Sequence, residues 1–420
     1  MKIEFIMKKH LLILSLLSFL FATAQNKDQG KFITYDKGEI YYYNTILKDI
    51  NAEEAQQNKP KPYKRFKVDA SKQDYPAKVS LYKQEWHNPP ISQGNTGTCW
   101  DFSTTSFYES EVYRLHGKKV KISEAFTFYN EYILRAKEYV RTRGKSLFAQ
   151  GSEANAVTRI YKMFGAMPWD VYNGLNGHKF HTHKKMYAEM KDYLESVKAG
   201  NAWNEKEVVE TIKSIMNHYI GTPPTEFTVD GKKYTPKTYL KDYLQLNPDD
   251  YVEILSYKQA PYYTQCEYEV PDNWWHSKEY YNVPLDDYMQ AVRNAIKKGY
   301  TMSIGGDVSE AGFLNGKGEP QVAIIPDFDI PSAYINDDAR QFRFSNHSTT
   351  DDHGMHLVGY LEKDGKYWYL IKDSSSGSRN NDPNAPEFGY YFFSEDYIKL
   401  KMMGITVHKD AVKKLLKKFK

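Results

Sequence analysis

Between Cys99 and His116 the chain has neither Gly nor Pro and is followed by Gly117, a pattern that predicts a helix with a glycine stop. Ser123-Glu124 opens a second helical run, residues 125–141, with aromatic side chains at Phe126, Tyr129, Tyr132 and Tyr139. Further helices are predicted at 154–164, 184–197, 205–219 and 236–245, separated by breaks rich in Gly or Pro. From about residue 300 the pattern changes to short apolar runs at 301–304, 321–325, 356–361, 367–371 and 390–393, which read as strands. Helices first and strands last predict an α+β chain with a helical lobe and a sheet lobe. No internal repeat is visible.

The two ends differ from the body. Lys8, Lys9 and His10 precede a mostly apolar run from Leu11 to Ala22, and Ala22-Thr23-Ala24 supplies the small residues of a cleavage site. So short a run does not span a bilayer, and residues 1–24 read as a secretory signal cut after Ala24, with export to the periplasm or the outside expected. Residues 25–80 are polar and rich in Lys and Tyr, and read as an extended lead-in or a short pro-region. Residues 81–410 form the main domain, and 411–420 a basic amphipathic tail, read as a solvated helix end.

Of 420 residues, 41% are hydrophobic and 15% aromatic, with 36 Tyr and 21 Phe, so the chain has ample material for a core and is not a disordered tail. The formal net charge of +4 sits at the termini, leaving residues 25–408 at −3. A basic face for nucleic acid is therefore not expected.

The chemistry begins at Gln93-Gly94-Asn95-Thr96-Gly97-Thr98-Cys99-Trp100-Asp101-Phe102-Ser103. A cysteine at a helix N-terminus meets unpaired N–H groups and partial positive charge, which favour thiolate over thiol. Gln93 can fold back across the glycine turns and, with the Cys99 N–H, form an oxyanion hole. Far downstream, Asp352-His353-Gly354-Met355-His356-Leu357-Val358-Gly359-Tyr360 puts a histidine at the mouth of one strand, and Lys366-Tyr367-Trp368-Tyr369-Leu370-Ile371-Lys372-Asp373 ends a second strand in an acid. Paired as a hairpin, the two strands bring Asp373 beside the His353 ring, where it accepts the second ring N–H.

These strings resemble the nucleophile segment, the histidine strand and the orienting strand of papain-like cysteine peptidases. Ile220-Gly221-Thr222-Pro223-Pro224-Thr225-Glu226-Phe227, the 151–168 stretch, and Ala295-Ile296-Lys297-Lys298-Gly299 leading to Gly305-Gly306-Asp307-Val308 are similar to the bleomycin hydrolase and aminopeptidase C branch. The resemblance implies a two-lobe papain-like fold with a helical insertion at about 150–290. It implies a thiol peptidase acting on peptides or proteins, with no cofactor or metal, and it makes a homo-oligomer one of the implied assemblies. It selects His353 over His356 as the catalytic imidazole.

Three positions depart from the family pattern. Asp373 stands where Asn is usual, and Ser375 where a shielding Trp is usual. The tail is short and Lys-rich where the branch sends a C-terminal arm into its cleft to hold the substrate amine. Aminopeptidase action, endopeptidase action and a catalytically weakened peptide-binding homologue therefore all stay open. Cys266 reads as an inert buried thiol, and His178, His181 and His183 as members of a solvated loop.

Overall fold

The structure is a computed structural model, which describes residues 40–57, 64, 66–71, 73–315, 319–374 and 383–419. The signal segment 1–24, Ser375 and Lys420 lie outside the described residues. The chain divides into two units, Met1–Arg65 and Phe66–Lys420. In the first, a π-helical turn at Tyr42–Leu47 runs into helix α1 (Lys48–Gln57), and neither segment has a buried side chain. The lead-in is thus partly helical instead of extended throughout, because Asn51-Ala52-Glu53-Glu54-Ala55-Gln56-Gln57 is made mostly of good helix formers.

In the second unit, the helical part is built from α2 (Cys99–His116), α3 (Glu124–Arg141), α4 (Ala154–Phe164), α5 (Lys184–Ala199) and α6 (Glu205–Ile220). Each boundary follows from a local signal. Gly117 closes α2 in the left-handed conformation (φ 65°), with its N–H donating to the Tyr113 carbonyl. Ser123 caps α3 by accepting from the Phe126 N–H, and Asn204 caps α6 by accepting from Glu207. Helix α2 is buried on every side from Trp100 to Val112, so it is the axle of the unit and not a surface helix. The stretch read as a helix at 236–245 is a single α-turn (Pro236–Thr238) continued by a π-helical segment (Tyr239–Tyr243).

Ten strands make one mixed sheet in the order β5-β6-β4-β12-β7-β9-β10-β11-β8, with β1 (Lys83–Gln84) pairing off β9. The strands are β4 (Tyr251–Leu255), β5 (Thr264–Cys266), β6 (Tyr280–Asn282), β7 (Met302–Gly306), β8 (Val322–Ala323), β9 (His353–Lys363), β10 (Lys366–Lys372), β11 (Tyr390–Ser394) and β12 (Met402–His408). A separate hairpin joins β2 (Phe227–Val229) to β3 (Lys232–Tyr234). Strands therefore begin well before residue 300, and three more helices, α7 (Leu285–Lys297), α8 (Asp337–Ser345) and α9 (Glu395–Lys401), are interleaved with them. Strands β4 and β12 lie in mid-sheet and are buried over nearly their whole length, so they lack the alternation that marks a half-exposed strand.

The interface between α2 and the sheet is polar in its middle. Thr104 Oγ1 lies 3.0 Å from Ser303 Oγ, Ser106 Oγ lies 2.9 Å from His356 Nδ1, and Lys372 Nζ donates to Ser106 Oγ at 2.7 Å. These buried bonds set the height and rotation of α2 against β7, β9 and β10, and so set where the first turn of α2 meets the strand carrying His353.

Candidate active site

Cys99 is the first residue of α2. Its N-cap, Thr98, makes no side-chain capping bond, so no side chain of the cap occupies the helix mouth. The loop before it is tied down on two sides. The Gly97 N–H donates to Gln150 Oε1 at 3.0 Å and the Trp100 indole N–H to the Gln150 carbonyl at 3.1 Å. Gly94 has φ +67°, and a Cβ there would stand 2.1 Å from the His181 carbonyl oxygen, so the turn requires glycine.

His181 and His183 are 8% and 0% exposed, which corrects the solvated-loop reading for both; His178 is exposed. Their rings pack on Phe102 and Phe128, and burial pushes their pKa values down, to about 4 for His181 and about 3 for His183. Their backbone braces the nucleophile loop: the Asn95 N–H donates to the His181 carbonyl at 2.9 Å and the His183 N–H to the Asn95 carbonyl at 3.3 Å. Sequence reading missed this because their partners are hydrophobic rings distant in the chain.

His353 opens β9, and β10 returns antiparallel so that Lys372 pairs with His356. Asp373, one residue beyond, accepts a hydrogen bond from His353 Nε2 at 2.6 Å, and the two residues are 1% and 8% exposed respectively. With Nε2 engaged, Nδ1 is the nitrogen left for Cys99, which lines the same recess as His353. Burial alone would depress the imidazole pKa, but the negative charges of Cys99 and then Asp373 outweigh it and push it up to about 10. The raised pKa favours the imidazolium form of the ring. Gly354 permits the approach, since a Cβ there would lie 3.0 Å from Ser103 Oγ and 3.2 Å from Trp100 Cα.

His356 faces the other way. It is fully buried against Ser106 and Phe107, and burial together with Lys372 drives its pKa well below the usual value. Cys266 is a free, half-buried thiol on β5 whose pKa burial raises to about 11.

Gln93 is 6% exposed and held by four bonds, one of them from Thr96 Oγ1 to its carbonyl at 2.9 Å. Its N–H donates to the Ser374 carbonyl at 2.7 Å, its Oε1 accepts from Ser374 Oγ at 2.9 Å, and its Nε2 donates to the Thr96 carbonyl at 2.7 Å. The Thr96 carbonyl only accepts, which fixes the amide orientation and leaves Nε2 one further hydrogen to give. Ser374 was not singled out in the sequence, where Asp-Ser-Ser reads as ordinary turn chemistry. The structure thus places Cys99 and His353 on one recess, bonds His353 to Asp373, and ties Gln93 to Ser374, the residue after Asp373.

A family model for the Peptidase C1-like family matches residues 173–420, more than half of the chain. The chain belongs to the Peptidase C1-like family. It is a cysteine-type peptidase, and its fold is papain-like. The matched stretch contains His353 and Asp373, while Cys99 and Gln93 precede it. Among solved structures, PepW from Lactobacillus rhamnosis HN001 (DR20) is similar over 91% of this chain and 95% of its own, with a TM-score of 0.58 and 18% identity, a likeness of fold. Procathepsin L 3 of the Tenebrio molitor larval midgut aligns over 95% of this chain and 88% of its own, but with a TM-score of 0.35 and 12% identity the likeness is too low to carry weight. No curated protein matches.

The peptidase's cleft runs along the first turn of α2. Cys99, Ser152, Glu153, Gly305, His353 and Ile405 are among its walls. It is acidic: Glu153, Glu253, Asp272, Asp351 and Asp352 all face it.

Proposed function

We propose that the peptidase cleaves peptide bonds through a Cys99–His353–Asp373 thiolate mechanism. The observation that carries this reading is the buried His353–Asp373 bond of 2.6 Å, at a helix mouth occupied by Cys99. In the first half-reaction the Cys99 sulfur attacks the scissile carbonyl carbon, forming a C–S bond and a tetrahedral oxyanion. The Cys99 N–H and the remaining Gln93 Nε2 hydrogen stabilise that oxygen. The His353 imidazolium gives its Nδ1 proton to the departing amine as the C–N bond breaks. Water then attacks the thioester carbonyl, losing a proton to His353, and the C–S bond breaks to release the acid and restore the thiolate. Asp373 holds the ring in place and stabilises its charge throughout.

The test is hydrolysis of free-amine and N-blocked peptide amides by the wild type and by Cys99→Ala. Loss of turnover in the variant is expected, and retained turnover overturns the mechanism. Stoichiometric labelling of Cys99 by an epoxide at neutral pH separates the enzyme from a peptide-binding homologue with an inert thiol.

Aminopeptidase action is the reading drawn from the branch resemblance, and preference for the free-amine substrate is its expected sign. Endopeptidase action is favoured by a different observation. Phe419 rests on Tyr281 and Tyr263, with ring centroids 4.8 and 6.0 Å away, and none of the described residues 409–419 lines the cleft. Equal cleavage of blocked substrates selects it. Export is proposed from the Leu11–Ala22 run and the Ala24 cleavage site, and an exported protein beginning at Gln25 is its test.

A further inference from the structure

Carboxylates of the described residues differ in whether a Lys or Arg pairs with them. Glu109, Glu111, Glu131 and Asp307 each have a Lys or Arg at 2.5–3.3 Å. Glu153, Glu253, Asp351 and Asp352, which line the cleft beside Cys99 and His353, have no Lys or Arg within 4.0 Å among the described residues. The fifth acid of the cleft, Asp272, reaches Arg135 only at 3.8 Å, and that guanidinium already donates to the Leu147 and Gly151 carbonyls. The His353 ring is the cation nearest this cluster, and it is already bonded to Asp373, so the recess keeps an excess of negative charge.

A second, independent feature points to a ligand. Tyr268 lines the same recess, is 2% exposed, and its hydroxyl has no hydrogen-bond partner. Asp351 and Glu153 line that recess with it. Glu153 Oε1 is likewise shielded from solvent and unpartnered. Glu253 is 8% exposed and accepts only from Thr406 Oγ1, at 2.7 Å. Buried polar atoms are ordinarily paired, so two unpaired ones, Glu153 Oε1 and the Tyr268 hydroxyl, on one recess next to a nucleophile mark a place where another molecule supplies the partners. Burial and then the charge of Asp351 raise Glu153 well above the usual carboxylate range, and burial with the charge of Asp272 raises Asp351 to about 6.

We propose that this recess is the specificity site of the peptidase and receives a protonated amine or guanidinium of the substrate beside the scissile bond, with Glu153, Asp351 and Glu253 as acceptors and the Tyr268 hydroxyl as a further oxygen. The inference rests on Cys99 being the nucleophile. Two parts of a peptide carry such a cation: the free α-ammonium of a first residue, and the side chain of Lys or Arg.

The experiment measures kcat/KM for three pairs of fluorogenic peptide amides on the full chain and on Glu253→Gln and Asp351→Asn. The pairs are free against acetylated N-termini with neutral side chains, Lys against norleucine in an acetylated peptide, and Arg against norleucine likewise. A preference of roughly tenfold or more for the cationic member of at least one pair is expected, and it should fall several-fold in each variant. The pair that shows the preference identifies the source of the cation. Equal cleavage within every pair by the wild type, or a preference that survives both substitutions, overturns the inference and leaves the peptidase mechanism standing. Protection of Cys99 from iodoacetamide by each peptide gives the same comparison without turnover. If no peptide is hydrolysed, the mechanism falls, and stronger protection by the cationic members still decides the recess. Thermal melting of the variants verifies that they are folded.

Discussion

Ser374 ties the two halves of the active site together: its hydroxyl donates to Gln93 Oε1 at 2.9 Å and its carbonyl accepts the Gln93 N–H at 2.7 Å. The residue before it is Asp373, which holds the His353 ring. The acid that orients the imidazole and the amide placed for the oxyanion are thus anchored within two consecutive residues of one strand end. A shift of that strand end moves both.

Ser374→Ala leaves the Gln93 amide with one anchor fewer. Loss of one buried hydrogen bond of about 1 kcal/mol predicts a kcat several-fold lower with KM little changed, because the amide acts on the tetrahedral oxygen and not on the bound peptide. Gln93→Ala removes the donor itself and is expected to cost about 10²–10³ in kcat. Steady-state kinetics on both variants checks the order of the two effects.

Asp373→Asn keeps an acceptor for His353 Nε2 but removes a charge that raises the ring's pKa. The wild-type imidazolium, with a pKa pushed up to about 10, contributes stability fully present below the ordinary value of 6.5 and lost as pH rises through 10. Without the carboxylate, the alkaline limb of kcat/KM should move down by roughly one to three pH units. An unmoved limb means that Asp373 does not set the protonation of the pair.

Gly354→Ala places a methyl group 3.0 Å from Ser103 Oγ and 3.2 Å from Trp100 Cα. The hydroxyl can turn away, but the backbone of the first turn of α2 cannot yield without moving Cys99. The expected outcome is a folded protein destabilised by about 1–3 kcal/mol and a larger proportional loss of kcat. Denaturant melts and kinetics measured together separate the two effects.

Glu253→Gln tests the uncompensated carboxylates through stability. Burial raises Glu253 to about 8 from its ordinary 4.5, so the folded protein holds that proton more tightly than the unfolded chain does. The stability this contributes is present below pH 4.5 and lost as pH rises through 8. Glutamine keeps the shape without the charge, so the Tm advantage of the variant should grow between pH 4.5 and 8 and level off above, reaching on the order of a few °C. A constant difference across that window shows that the carboxyl titrates in the fold as it does in the unfolded chain, so that burial does not raise its pKa.

How much of this was legible beforehand depended on where each residue's partners lie. Helix α2 could be read to its ends, because its Gly stop and the absence of breakers are local. The hairpin of β9 and β10 was equally local, and the nearness of Asp373 to His353 followed from its register. Strands β4 and β12 escaped notice because their neighbours come from distant parts of the chain and bury them on both faces, erasing the periodic signal. His181 and His183 misled for the same reason: a Lys-flanked, polar-looking string is buried by Phe102 and Phe128, which no spacing rule connects to it.

By itself, the amino-acid sequence determined the chemical vocabulary: a thiol at a helix start, an imidazole at a strand mouth, an acid at the next strand's end, and glycines where the backbone turns sharply. Those depend on bonding within a few residues, and local steric and capping rules suffice to read them. Only the tertiary structure decided the acidity of the cleft, the clamp between Ser374 and Gln93, and the role of the histidine string. The body of the chain is nearly balanced in charge, and a cluster of five carboxylates arises only when α4, β4, the 268–272 loop and the approach to β9 converge on the first turn of α2. Whether a carboxylate has a counter-charge depends on what folding brings within a few ångströms of it, and that distance is not written along the chain.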